Sequence, residues 1–320
     1  MSNKTLIAVC AGVSSAIAAT AFINQTPGAI ILAYLADLPL FLTGFAFGPQ
    51  SALISSAVGF LIAGMLGGGL AAGIFGLLHV IPTWLIVRLM LLQRPMGSAA
   101  PSLKNNTIEW YPAGDLLCWL STFVAGMFLV ASLASLISGN ESLSVLISDN
   151  LDRILQNMAP EWDPDQRTRI VDLMAPMFPG AIGLSWLIMT IVNAILAQNI
   201  LSKLKKAIRP IPSYIDLHLP HWISWPLIVS CALALLGTGE LEYTGRNLSL
   251  ILSLPFFFLG LAVVHTWARN LKSGRWILLV FFYFVLILSN WTALLITGIG
   301  LIELWTGIRF RMARPPQINN

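Results

Sequence analysis

Apolar runs about as long as a bilayer is thick follow one another along this chain, at residues 5–23, 29–47, 51–66, 70–92, 114–137, 177–201, 222–239, 247–268, 276–289 and 291–308. A helix needs about 20 apolar residues to cross a hydrocarbon core roughly 30 Å thick, and in lipid a spanning segment must satisfy its backbone polar groups internally. The pattern predicts an all-α fold, a polytopic transmembrane helical bundle of about ten spans, eight at the fewest. Soluble domains carry about 25% charged residues. Here 10% are charged and 57% are apolar, which excludes that class. The last two runs together would make about 50 Å of helix, too long for one upright span, whereas a split at Asn290 makes two short ones.

Charge gives the expected topology, because lysine and arginine in short loops stay on the cytoplasmic side. With ten spans and a cytoplasmic N-terminus, the inside collects Lys4; Arg88, Arg94 and Lys104; Lys203, Lys205, Lys206 and Arg209; Arg269, Lys272 and Arg275; and Arg309, Arg311 and Arg314. Of the 18 basic residues this leaves Arg153, Arg167, Arg169 and Arg246 outside, and it puts the C-terminus in the cytoplasm as well. The net charge of +4 is not a nucleic-acid signature, since the basic residues stand in short clusters beside apolar runs. Nucleic acid is excluded as a partner, and the lipid bilayer is the expected one.

The chain divides on this reading into a six-span unit at 1–201, a cytoplasmic basic and proline-rich link at 202–221, a four-span unit at 222–308 and a cytoplasmic tail at 309–320. Within the first unit, 138–176 reads as an external amphipathic lid. Leu143, Ile147, Leu151, Ile154, Leu155 and Met158 recur at helical spacing, and Asp163, Pro164 and Gln166 form a start signal for a second helix. The basic cluster of the link suits anionic lipid headgroups, and its prolines end any helix before Trp222. Glycine-rich 64–73 suits a tight turn between two spans. The N-terminus resembles a signal peptide, but its small residues continue along the whole run, so an uncleaved first helix is the expectation.

Asp37 stands out because it lies with Pro39 near the middle of the second run. A carboxylate near the bilayer centre costs about 2.5–3.5 kcal/mol on insertion scales and is expected to face the protein interior with a partner. Pro39 denies the helix one donor and breaks or kinks it. A broken helix beside a carboxylate is a common way to build a midplane binding site. His79 and Arg88 are the candidate partners, so Asp37, His79 and Arg88 make the candidate ligand site. The competing reading has Asp37 cap a helix that starts at Leu38. Ala8, Gly12 and Ala16 form a small-residue stripe on the first helix that lets another helix dock closely, from this chain or a partner.

Other polar residues point to structure. His265 reads as hydrogen-bonded packing, Glu303 as a partner for Arg309, and Asp115 as a helix-start acid. Asp216, His218 and His221 cannot share one helix face across Pro220, and Cys10, Cys118 and Cys231 are far apart in sequence, so no metal site or disulfide is expected. No phosphate loop, nucleophile elbow or dinucleotide turn occurs, so neither an enzyme nor a cofactor is expected, and no catalytic residue is assigned.

The run ADLPLFLTGFAFGPQSALISSAVG is similar to one in the substrate-binding S components of energy-coupling-factor vitamin transporters, at Asp37, Leu38, Pro39, Gly44, Gly48 and Pro49, with Ala8, Gly12 and Ala16 as the docking stripe. The whole chain resembles the YybS-like family of bacterial membrane proteins, through IPSYIDLHLPHW, NLSLILSLPFFFLGLAVVHTW and GLIELWTGIRFRMARP. These resemblances imply a multi-pass protein of the bacterial cytoplasmic (inner) membrane. They further imply that it is transport-related, takes an unknown small solute in its N-terminal unit and depends on a separate coupling subunit or ATPase. The alternative is a non-transporting scaffold that assembles with cell-envelope or division proteins.

Overall fold

A computed structural model describes residues 3–21, 28–95, 108–137, 142–271 and 275–313. The link at 24–27, Lys104, Lys272 and Arg314 with the rest of the tail lie outside these residues. The described chain is all-α apart from one two-stranded antiparallel ladder, β1 (Gln93–Pro95) with β2 (Ile108–Trp110). It forms two compact units, the first made of Met1–Leu116 with Ile188–Pro212 and the second of Leu117–Leu187 with Ser213–Asn320. This division follows packing and is drawn differently from the division into consecutive stretches of chain.

Among the described residues, six helical runs are long and apolar enough to cross a membrane, or up to seven if a bent pair counts as one span. The ten expected runs and these helices differ in three places. The runs at 51–66 and 70–92 fall in one helical stretch, Pro49–Met90. The run at 222–239 shortens to His221–Leu236, too short to cross alone. The last two runs become α12 (Arg275–Leu288) and α13 (Asn290–Thr306), short helices bent by 116° across extended Ser289.

In the first unit, α1 (Asn3–Thr20) packs along α4 (Pro49–Phe75), which is itself two arms joined at Gly68, where φ is 76°. A β-carbon on Gly64 would meet Ala72 at 3.2 Å, one on Gly76 would meet the Phe60 ring at 3.2 Å, and one on Gly59 would meet the Phe75 ring at 2.8 Å. Residues 59 and 75 would be about 24 Å apart on a straight helix, so the arms run antiparallel about Gly68. Ala16, Leu40, Ala63 and Phe75 make a buried apolar cluster between these helices. At the head of α4, Gly48 takes φ 97° between α3 (Asp37–Phe47) and Pro49 at the first helical turn, which accounts for the glycine and proline of the FGP run.

In the second unit, α11 (Glu240–Asn270) packs against α10 (Ser224–Leu236) and α13. Gly260 lies against the Ile296 carbonyl and Gly300 against that of Phe256, so these glycines let the two backbones touch. The expected amphipathic helices form as α7 (Leu143–Met158) and α8 (Pro164–Met174), sharing the buried residues Leu151, Val171 and Ala175. Asp163 occupies the N-cap position with Pro164 behind it. Asn247 of α11 holds the start of α9 (Phe178–Lys203), accepting from the Gly180 N–H at 2.7 Å and donating to the Pro176 carbonyl at 3.0 Å.

Candidate functional site

The second span is broken by its own proline. α2 (Ala29–Tyr34) ends at Leu35, and α3 begins at Asp37. Because Pro39 has no N–H, the Leu35 carbonyl loses its regular helical donor. The Leu38 N–H turns to that carbonyl at 3.1 Å instead of to the Tyr34 carbonyl, its regular helical acceptor. Asn193 of α9 fills that place, donating from Nδ2 to the Tyr34 oxygen at 2.6 Å and to the Met189 oxygen at 2.9 Å. A backbone break inside a span is stable only when such substitutes are supplied.

Asp37 sits at the first turn of α3, where the helix dipole favours its charge, and it is fully buried. The N-cap position of α3 falls on Ala36, so Asp37 stands inside the helix and not at its cap as the cap reading had it. Instead Asp37 Oδ1 meets His79 Nδ1 at 2.7 Å. His79 stands on a π turn (Gly76–Val80) whose Ile81 N–H reaches back to the Gly76 carbonyl. Pro82 explains the widened turn, since it offers no N–H and its ring crowds the carbonyl four residues earlier. The His79 ring also packs on Phe75, with centroids 4.9 Å apart. Thr190, on the same face of α9 as Asn193, points its hydroxyl at Asp37 Oδ2 from 3.5 Å, too far for a strong bond.

A family of membrane proteins described as "Predicted membrane protein (DUF2232)" matches residues 13–304. The chain belongs to that family. No curated protein and no solved structure matches it. Membership agrees with the several apolar helices and with a multi-pass membrane protein.

Of the three candidate ligand residues in this DUF2232 member, the fold brings Asp37 and His79 together. Arg88 is not with them. It is exposed on α5 (Ile81–Met90) and lies over the Trp84 ring, 5.1 Å from its centroid. The stripe Ala8, Gly12 and Ala16 is buried against α4, with Gly12 against the Ser55 carbonyl and 2.8 Å from Val58 for an added β-carbon. Its docking partner within the structure is therefore the same chain.

Elsewhere, Glu303 pairs with Arg309 at 2.7 Å, and His265 Nε2 meets the Tyr283 hydroxyl at 2.7 Å. His218 bonds the Asp216 carbonyl oxygen. Arg209, expected among the lipid-facing basic residues, is buried. It donates to the carbonyls of Met90 at 2.9 Å and Tyr111 at 3.0 Å, and burial lowers its pKa from the ordinary arginine value. Lys203, Lys205 and Lys206 remain exposed.

Thr190 and Asn193 were not singled out in the sequence. The signal for them was a threonine and an asparagine three apart in the otherwise apolar LIMTIVNAIL run, one helix face by spacing. Nothing in that pattern names the carboxylate that Thr190 faces or the Tyr34 carbonyl that Asn193 bonds.

Proposed function

We propose that this is a transport-related protein of the bacterial cytoplasmic membrane whose N-terminal unit takes a small solute and works with a separate energising partner, a coupling subunit or ATPase. The observation that carries this reading is the Asp37–His79 pair, buried at 2.7 Å beside a broken span. Intramembrane ionisable pairs are costly, and they mark substrate or proton pathways. Broken helices supply the polar backbone that midplane sites use. Asp37 is enclosed in this arrangement, so a solute reaches it when α2 and α3 part at Leu35 and Ala36. The similarity of the ADLPLFLTGFAFGP run to S components and of the whole chain to the YybS-like family belongs to the same proposal.

The proposed topology keeps ten membrane segments and both termini in the cytoplasm. It is supported by the reversal at Gly68 and by the 116° bend between α12 and α13, each of which returns the chain towards the side it came from. The scaffold alternative has less support, because the first-helix stripe through which it would dock is covered by α4. The test is a thermal-shift screen of small solutes on the purified full chain, with native mass spectrometry to find co-purifying solutes. A stabilising solute whose effect vanishes in Asp37→Asn is expected. Absence of any stabilising solute, together with native-like behaviour of Asp37→Asn, overturns the reading.

A further inference from the structure

We infer that the segment at the end of α9, residues 203–211, is an interfacial strap that binds the phosphate headgroups of anionic phospholipids. The inference is independent of the transport reading. Lys203, Lys205 and Lys206 are exposed, and interleaved with them or just beyond, Leu204, Ile208 and Ile211 are 58%, 46% and 49% exposed. That mixture suits the membrane interface, where apolar side chains enter the acyl boundary and ammonium groups reach the phosphates. The strap is fixed in place by its own backbone and by Arg209. Arg209 bonds the Met90 and Tyr111 carbonyls, the Ile208 N–H donates to the Phe45 carbonyl at 3.3 Å, and Gln198 donates to the Arg209 carbonyl. The ends of α3 and α5 therefore stand beside it. Trp84 and Trp110 lie near the same end, under the guanidinium groups of Arg88 and Arg209, and tryptophans gather where a membrane meets water.

Charge at this end has one sign. Glu109 is taken by Arg94 at 2.6 Å and Asp115 is half-buried, whereas among the described residues no ion pair involves Arg88 or the three lysines. Lys205 is the sharper observation. Among the described residues it is the one non-glycine with a positive φ, 55°. It stands just past α9, where its N–H reaches the Ser202 carbonyl at 3.0 Å and the Lys206 N–H reaches the Leu201 carbonyl at 2.8 Å. Helices ordinarily end in this turn on glycine, which takes the left-handed conformation freely. A lysine there keeps a charge where the backbone favours a residue with no side chain. Headgroup phosphates give that exposed ammonium its use.

The test is thermal unfolding of the full chain in a neutral detergent, with phosphatidylglycerol or phosphatidylcholine added to the micelles. A saturable rise in the midpoint with phosphatidylglycerol over phosphatidylcholine is expected, since a ligand that binds only the folded state stabilises by mass action, and raised salt should shrink it. Each basic residue at an anionic surface contributes about fivefold in affinity, so the combined Lys203→Gln, Lys205→Gln and Lys206→Gln variant should need about a hundredfold more phosphatidylglycerol for the same rise. Lys205→Gly alone relieves the backbone while removing one charge. Its midpoint in phosphatidylcholine should be equal or higher, and its phosphatidylglycerol requirement about fivefold greater, which separates the charge from the helix end. Equal midpoints in the two lipids, an unchanged phosphatidylglycerol response in the triple variant, or a rise that inorganic phosphate reproduces at the same concentration overturns the inference.

Discussion

Asp37 and His79 are joined at 2.7 Å although 42 positions separate them, and a helix break and a π turn, each beside a proline, deliver them to the same point. Removing one partner of a buried pair leaves the other uncompensated, at about 3–5 kcal/mol. Asp37→Asn and His79→Leu should each destabilise the chain strongly, and the double variant should lose about 1–3 kcal/mol less than the two single losses together. Unfolding titrations of all four forms measure this coupling, and strict additivity would show that the pair does not act as one.

Asn193 replaces a hydrogen bond that Pro39 disrupts. Asn193→Leu should cost about 1–3 kcal/mol by removing its hydrogen bonds to the Tyr34 and Met189 carbonyls. In a Pro39→Ala background the regular ladder can re-form, with residue 39 donating to Leu35 and Leu38 to Tyr34, so the cost of Asn193→Leu should fall by about half. Equal losses in both backgrounds would dissociate the asparagine from the proline.

The close approach of α1 to α4 depends on Gly12. Gly12→Leu should lower the unfolding midpoint strongly, consistent with overpacking costs of about 1–3 kcal/mol or more, because an added β-carbon falls on the Ser55 carbonyl and on Val58. Gly69→Ala, with nothing near the added carbon, should change the midpoint little. Gly68→Ala should cost about 1–2 kcal/mol, since φ 76° suits glycine alone. Equal effects at Gly12 and Gly69 would rule out a steric origin.

Arg209 serves as a clasp for the segment after α9. Its loss strands the Met90 and Tyr111 carbonyls, so Arg209→Ala should destabilise by about 2–3 kcal/mol and increase protease cleavage near residue 209. Arg209→Lys should rescue it only in part: one nitrogen, Nη1, makes both bonds, but an ammonium lacks the planar guanidinium that lies over the Trp110 ring, 5.7 Å from its centroid. Full rescue by lysine would reduce its role to charge.

The all-α membrane class, a kink or break of the second span beside Pro39, a turn within 64–73, the two amphipathic helices and the Glu303–Arg309 pair were legible because each depends on neighbours in sequence: hydrophobic length, a missing proline donor, a glycine's freedom, helical spacing. The partner of Asp37 was legible only as a choice between His79 and Arg88, since sequence spacing says nothing about which face of a distant helix turns inward.

Taken by itself, the sequence determined that this chain lives in a bilayer and that its second span kinks or breaks near an acid expected to face the interior. Only the tertiary structure decided that His79 and not Arg88 answers the acid, that the α1 stripe is spent on α4, that Arg209 is buried, and that Asn193 bonds the Tyr34 carbonyl. The reason is physical: composition and local backbone chemistry settle where a helix can form or fail, while the satisfaction of each freed carbonyl and buried charge depends on side chains brought from distant parts of the chain by packing.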